Sequence, residues 1–285
     1  MKALDLINIS KKELQFVSSN PYQESVWILN QILKNTPTDL YLEQNQKIKL
    51  KDQNCFLDKI NKRKQGWPLS YILEEQWFMG KKFFIQEGVF TPRKDSEVLI
   101  EYILNTMTHP LRALDFGAGA GTFCLSLLSQ NLKNYFVAVE IHLKSVACLL
   151  ENASSFGVKG RLKVLKKDVS HLDQKDFVGF LGGLPNLIIA NPPYVGPLDL
   201  ALSQEVSRFE PPLALFSDEE GMGHIYSWFE KAINFLEPKG CFIFEFGYDQ
   251  FEKVQKFLKS KSRLKSFNFF KDQNDIYRFA VCIKK

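Results

Sequence analysis

The stretch RALDFGAGAGT, residues 112–122, passes from a short apolar run into three alternating glycines and then into a segment of helical character. Gly117, Gly119 and Gly121 let the backbone turn sharply and approach a ligand closely. Amide groups at the start of the following helix point outward and favour an anionic group. The unit therefore reads as strand, glycine turn, helix. Working outward, the alternation continues in both directions. A helix (95–105) precedes the strand 112–116, and a helix (122–129) follows it. Then come a strand (135–140), a helix (143–156) and strands at 161–165 and 186–190. A helix (224–236), a strand (241–246) and a helix (250–258) come next. The last two strands, 264–270 and 276–283, flank the polar turn KDQND and are expected to pair antiparallel at the sheet edge. Alternation of this kind predicts an α/β fold with a mostly parallel sheet and helices on both faces. Ligands of such sheets bind beyond the carboxyl ends of the strands, at the switch point.

Outside this region the pattern differs. Residues 1–75 carry apolar residues at helical spacing, such as Leu4 and Ile7, then Val26, Leu29, Ile32 and Leu33. Ser19-Asn20-Pro21 resembles a helix start. Residues 76–92, QWFMGKKFFIQEGVFTP, are aromatic and broken by Gly80 and Gly88, which predicts a β-hairpin linker. The expected division is thus a helical domain at 1–75, a hairpin at 76–92 and a larger domain at 93–285.

Composition narrows the class. The chain has 285 residues, 45% hydrophobic and 24% charged, with a net charge of +5. These values suit a globular protein. No apolar run approaches a membrane span, and the start lacks a signal-peptide core, so a cytoplasmic protein is expected. The densest basic cluster, Lys59, Lys62, Arg63 and Lys64, reads equally as a solvated helix face or as a contact for an RNA-bearing partner. So small a charge does not identify a nucleic-acid binder. The 5 cysteines form no C-x-x-C pair, so no metal site and no disulfide framework is expected.

The glycine spacing is G-x-G-x-G, whereas dinucleotide folds prefer G-x-G-x-x-G. With Asp115 two residues ahead, it resembles motif I of the S-adenosylmethionine methyltransferases. That resemblance implies that Gly117, Ala118, Gly119, Ala120 and Gly121 face the cofactor. Glu140 ends the second strand, where a carboxylate can accept hydrogen bonds from ribose hydroxyls. Asp168 is placed to accept from an adenine amino group and Val169 to pack on the ring. Asp at a strand end is also a common helix cap.

Asn191-Pro192-Pro193-Tyr194 follows the strand 186–190 directly. An amide nitrogen is a poor nucleophile because its lone pair is delocalised into the carbonyl. Two acceptors can hold its NH2 group and shift density onto nitrogen. Asn191 offers its side-chain carbonyl and Pro192 its backbone carbonyl. The prolines fix φ near −65°, and Tyr194 can lay an aromatic face on a planar group. Adenine N6 and cytosine N4 present the same geometry, so the motif indicates a planar nitrogen without saying which. Base-modifying enzymes must also extract the base, and no segment clearly serves that role.

With these residues, the chain resembles the peptide chain release factor N5-glutamine methyltransferases, the HemK/PrmC family. The resemblance runs from about residue 67 to the end. It rests on PLSYILEEQWFMGKKFF (68–84), TPRKDSE (91–97), LDFGAGAG (114–121), ENASSFGV (151–158), NPPYV (191–195), EVSRFEPPLALF (205–216) and EPKGCFIFEFGYDQ (237–250). It implies a Rossmann-like class I methyltransferase domain whose seven-stranded mixed sheet has an antiparallel last strand. It implies S-adenosyl-L-methionine as methyl donor, S-adenosyl-L-homocysteine as product, and the glutamine of the Gly-Gly-Gln loop of class I release factors as substrate. Residues 117–121, Glu140, Asp168, Val169 and Asn191 would then serve the cofactor, and Asn191, Pro192, Pro193 and Tyr194 the substrate amide. A monomer with no direct nucleic-acid contact is expected.

There are departures. The family usually has Asp where Glu140 stands, and a bulkier aromatic at Val169. TPRKDSE departs from P-R-P-E-T-E at Lys94, Asp95 and Ser96. This segment reads as a wall of the site or simply as a helix start. The loop 196–222 is expected to form a rim for the substrate, and Arg208 and Glu210 are expected either to pin it or to form a local surface salt bridge. Other readings stay open: methylation of a ribosomal protein glutamine or of a nucleic-acid base, a nicotinamide-dependent oxidoreductase, or a binding module without turnover.

Overall fold

The computed structural model describes residues 1–35, 45–196 and 204–285, apart from the side chains of residues 204, 205 and 207. The chain groups into two units: residues 1–75 with the helix Gln204–Phe209, and the remainder from Gln76 onward.

The larger unit holds the sheet. Its strands are β3 (Arg112–Phe116), β4 (Tyr135–Glu140), β5 (Leu162–Lys166), β6 (Leu187–Ala190), β7 (Cys241–Glu245), β8 (Leu264–Lys271) and β9 (Tyr277–Lys284). They lie in the order β5-β4-β3-β6-β7-β9-β8, a seven-stranded sheet. β9 runs antiparallel to both β7 and β8, and the other described pairings are parallel. The expected mixed sheet is present. Ala113, Leu114, Asp115 and Phe116 are all buried, as befits a central strand covered on both faces. β6 and β7 are buried along their whole length for the same reason.

The hairpin before this sheet is shorter than expected. β1 (Glu75–Phe78) and β2 (Lys81–Phe84) are joined by Met79 and Gly80, both at positive φ (50° and 67°), as a tight two-residue turn demands. Past Phe84, residues 85–92 form no strand. The apolar residues Ile85 and Val89 are buried instead in irregular chain. The segment 94–96 is a short 3-10 turn leading into the helix Glu97–Thr106. In the long loop before the helix Gly223–Phe235, two helices, Gln204–Phe209 and Pro212–Leu215, were not expected. Residues 197–203 of the supposed rim lie outside the described residues.

Asp115 fastens the glycine turn to its helix. It is 1% exposed, and its carboxylate accepts the Cys124 amide at 3.1 Å, inside the first turn of Thr122–Gln130. A side chain from the preceding strand thus caps the helix where Gly121, at φ 83°, has none to offer. Burial pushes the Asp115 carboxyl up to about 7, with the charge of Glu140 adding to the rise against the opposing Cys124 hydrogen bond.

The smaller unit packs the helices Ala3–Glu13, Pro21–Leu33, Leu50–Lys64 and Leu69–Leu73 around Leu6, Leu29, Phe56 and Ile60. Asn20 caps the second helix by accepting from the Gln23 amide at 3.4 Å, with Pro21 at its first position. The basic cluster on the helix Leu50–Lys64 is engaged within the unit. Arg63 is 6% exposed and pairs with Glu24 at 2.7 Å, while also donating to the carbonyls of Val17 and Trp67. Lys62 lies 4.9 Å from the Trp67 ring centre, Lys64 pairs with Glu13, and Lys59 donates to the Ile72 carbonyl. Among the described residues, no helix is long and apolar enough to cross a membrane.

Two outcomes are expected. Arg63→Ala leaves Glu24 buried without its partner and should cost the smaller unit about 3 kcal/mol. A urea midpoint equal to that of the wild type would contradict this. The second concerns Asp115, whose folded-state value lies above its ordinary one near 3.8. Its contribution to stability is therefore fully present below about pH 4 and is lost as pH rises through about 7. Asn keeps an acceptor for Cys124 but does not titrate. The stability difference between wild type and Asp115→Asn should shift against the wild type across that window and level off above it. Urea midpoints measured through the window check this, and a difference that stays flat would count against a buried titrating carboxyl.

Candidate active site

Two loops meet because two strands pair. β3 and β6 are parallel neighbours, with Phe116 opposite Ala190. Gly117 and Asn191 are the next residues of each chain, so the glycine turn and the Asn-Pro-Pro-Tyr turn leave adjacent strand ends. The chain runs from β3 to β4 and β5 on one side, then returns to β6 on the other. That is the switch point at which open α/β sheets bind ligands.

The glycine turn is shaped from both sides. A Cβ on Gly117 would lie 2.7 Å from the Trp228 ring, so only glycine fits beneath it. A Cβ on Gly119 would meet nothing within 4 Å, which leaves open space beside the loop. Glu140 is 8% exposed and holds the loop directly: one carboxylate oxygen accepts the Gly119 amide at 2.8 Å, the other the His142 amide at 2.7 Å. Asn152, 2% exposed, braces the turn from behind. It donates to the carbonyls of Ala120 and Phe84, both at 3.0 Å, and accepts the Phe84 amide at 2.7 Å. No role was read for Asn152 from the sequence. Its place inside the block ENASSFGV was the available signal.

Asp168 and Val169 follow β5. Asp168 accepts the Ser170 amide at 2.7 Å as the cap of a short turn. Although burial works against it, the Ser170 hydrogen bonds hold its carboxyl below the usual range. Val169 is 4% exposed and belongs to the buried core with Leu172 and Phe177. His224 carries an imidazole whose affinity for a proton is lowered by burial, and its Nδ1 lies 2.8 Å from the Ser217 hydroxyl.

In the second turn, Pro192 and Pro193 are buried, while Asn191 and Tyr194 are partly exposed. Among the described residues, neither the Asn191 side chain nor the Pro192 carbonyl has a hydrogen-bond partner. Tyr194 is engaged. Its hydroxyl donates to Glu245 at 3.3 Å and its carbonyl accepts from the Gln250 side chain at 2.9 Å. Burial, with the nearby charge of Glu245, drives the Tyr194 phenol well above its ordinary range. Glu245 is 4% exposed and accepts the Ser96 hydroxyl at 2.6 Å. Burial raises its carboxyl, opposed by that hydroxyl and by the charge of Arg278.

The segment 91–97 is both a helix start and a set of tethers. Arg93 donates to Glu210 at 2.7 Å, Ser96 to Glu245, and Glu97 accepts the Met79 amide of the hairpin turn at 2.6 Å. Glu210 is thus tied to Arg93. Arg208, expected to act with it, is exposed and lies over the Phe209 ring at 5.0 Å.

Comparison with known proteins agrees with this architecture. Residues 5–73 match the family described as the PrmC N-terminal domain, and residues 81–206 the methyltransferase small domain. A Salmonella typhimurium protein named release factor glutamine methyltransferase is 30% identical over 204 residues, covering 71% of each chain. A Buchnera aphidicola protein of the same name is 28% identical over 286 residues, 99% of each chain. Among solved structures, Methanocaldococcus jannaschii Trm5 in complex with adenosine aligns at a TM-score of 0.50 and 14% identity, over 74% of this chain and 55% of that one. That likeness is one of fold. The relatives, the two matching domains and the switch-point site together show that this chain belongs to the family of release factor glutamine methyltransferases.

Proposed function

We propose that this protein transfers a methyl group from S-adenosylmethionine to the side-chain amide nitrogen of the glutamine in the Gly-Gly-Gln loop of class I release factors. The observation that carries the reading is the pairing of Phe116 with Ala190, which sets a glycine turn beside two carbonyl acceptors with no partner among the described residues.

The residues present suit the donor. Gly117–Gly121 offer a close backbone with open space at Gly119, and Glu140 holds a carboxylate at the edge of that loop. A carboxylate has about four lone-pair sites, so Glu140 can accept ribose hydroxyls while keeping Gly119. Asp168 stands at the neighbouring strand end for the base. The buried Val169 would act from beneath rather than as a displayed surface. When bound, S-adenosylmethionine supplies an electrophilic methyl on a sulfonium centre.

The chain's own residues supply orientation. The Asn191 side-chain carbonyl and the Pro192 carbonyl accept the two hydrogens of the target NH2. Both acceptors polarise the N–H bonds and build density on nitrogen. The proline rings keep the pair fixed, so little freedom is lost when substrate arrives. Tyr194 borders the amide plane. The fixed carbonyl dipoles of Asn191 and Pro192 would favour positive charge developing on the target nitrogen. The proton then leaves to solvent, and no side chain need act as a base in the transition state.

Methyl transfer from labelled S-adenosylmethionine to each purified class I release factor tests the reading. A release factor whose target Gln is changed to Ala should accept no label. Asn191→Ala should reduce transfer by at least about a hundredfold while calorimetry still finds cofactor binding. Label entering the Gln→Ala release factor, or a nucleic acid in its place, would remove the proposed substrate. Wild-type turnover by Asn191→Ala would remove the mechanism.

A further inference from the structure

Tyr194 is gripped at both ends. Its hydroxyl reaches Glu245 at the end of β7, and its carbonyl accepts from Gln250, five residues further on. Gln250 is 2% exposed, and its own carbonyl accepts the Gly247 amide at 2.8 Å. One buried amide side chain therefore offers its acceptor to the loop after β7 and its NH2 to the Tyr194 carbonyl after β6, with the Glu220 carbonyl also in reach at 3.5 Å. Gly221 closes the clamp. It stands at φ 86°, and a Cβ there would lie 2.1 Å from the Tyr194 carbonyl oxygen and 2.5 Å from the Gln250 nitrogen.

The neighbouring residue is held as well. The Val195 amide donates to the Leu215 carbonyl and the Val195 carbonyl accepts from Ser217, each at 2.9 Å. On the other side, Ala190 is paired with both Phe116 and Phe244. Asn191, Pro192 and Pro193 thus span the gap between two pinned points, and two of the three have φ fixed by their rings.

We propose that Gln250 and Glu245 are positioning residues for the turn that holds the substrate amide: by holding the carbonyl and the hydroxyl of Tyr194, they fix where the Asn191 and Pro192 acceptors point. The inference rests on the function proposed above and assigns those two residues no contact with substrate or cofactor. A displacement of about 1 Å in such a turn is enough to reduce turnover about a hundredfold.

Gln250→Glu separates this role from packing. It keeps the shape and the acceptor for Gly247, but replaces the donor with an oxygen facing the Tyr194 carbonyl. Tyr194→Phe keeps the ring and releases only the Glu245 contact, so it serves as a second probe should the first variant fold poorly. Steady-state methylation of a release factor and calorimetry with S-adenosylmethionine are measured on each.

Both variants should lower kcat by about tenfold or more. The cofactor Kd should stay within about twofold, and KM for the release factor should change less than kcat. The two losses should combine less than multiplicatively, because both contacts restrain one residue. Unchanged kcat in both variants would overturn the assignment, as would a loss explained entirely by weaker cofactor binding. If the wild type itself fails to methylate any release factor, the proposed function falls and takes this inference with it. Wild-type turnover with undiminished variants sinks the inference alone.

Discussion

The parallel pairing of β3 with β6 is the constraint on which the rest of the site depends. Phe116 and Ala190 share a register, so the residues that follow them emerge side by side. Those two emergent turns carry Gly117–Gly121 and Asn191–Tyr194, the residues on which the proposed methyl transfer centres. Backbone hydrogen bonds of a buried parallel ladder are hard to shift, since a slip leaves buried polar groups unpaired. The separation between the glycine turn and the acceptor turn is therefore set by the sheet and inherited by whatever lies between them.

Around that pairing, the larger unit uses buried carboxylates as braces. Asp115 takes the Cys124 amide, Glu140 the amides of Gly119 and His142, and Glu245 the hydroxyls of Ser96 and Tyr194. A buried carboxylate is unfavourable unless its oxygens are satisfied. Here each one is satisfied by a group in a turn that must not move. Asp115 and Glu245 respond to burial by holding their protons more tightly, whereas Asp168, capped by Ser170, holds its proton less tightly. The contrast follows from solvent access and from the number of donors offered to each carboxylate.

Glycine serves two different ends. Gly117 is required because the Trp228 ring occupies the space a Cβ would take. Gly221 is required because its neighbours are the Tyr194 carbonyl and the Gln250 amide. In the smaller unit the charged residues do comparable work, with Arg63 satisfied by Glu24 and by two carbonyls in the interior of the helical bundle.

Sequence alone determined what is local. The glycine turn, the strand and helix alternation, the rigid prolines and the family resemblance all lie in contiguous residues whose conformational preferences depend on near neighbours. The strands and their order along the chain were legible for that reason, and so was the strand tip bearing Asn191. The hairpin is shorter than its composition suggests because Ile85 and Val89, which continue the apolar character of a strand, lie buried in irregular chain. The partners of the brace residues were not legible. Gln250 meets Tyr194 across 56 positions, Tyr194 meets Glu245 across 51, and Ser96 meets Glu245 across 149. A polar side chain declares that it needs a partner, but which partner it finds depends on the packing of elements far apart in the chain. Only the tertiary structure could decide that, because the sheet order brings β3, β6 and β7 together, and the order is a property of the folded whole.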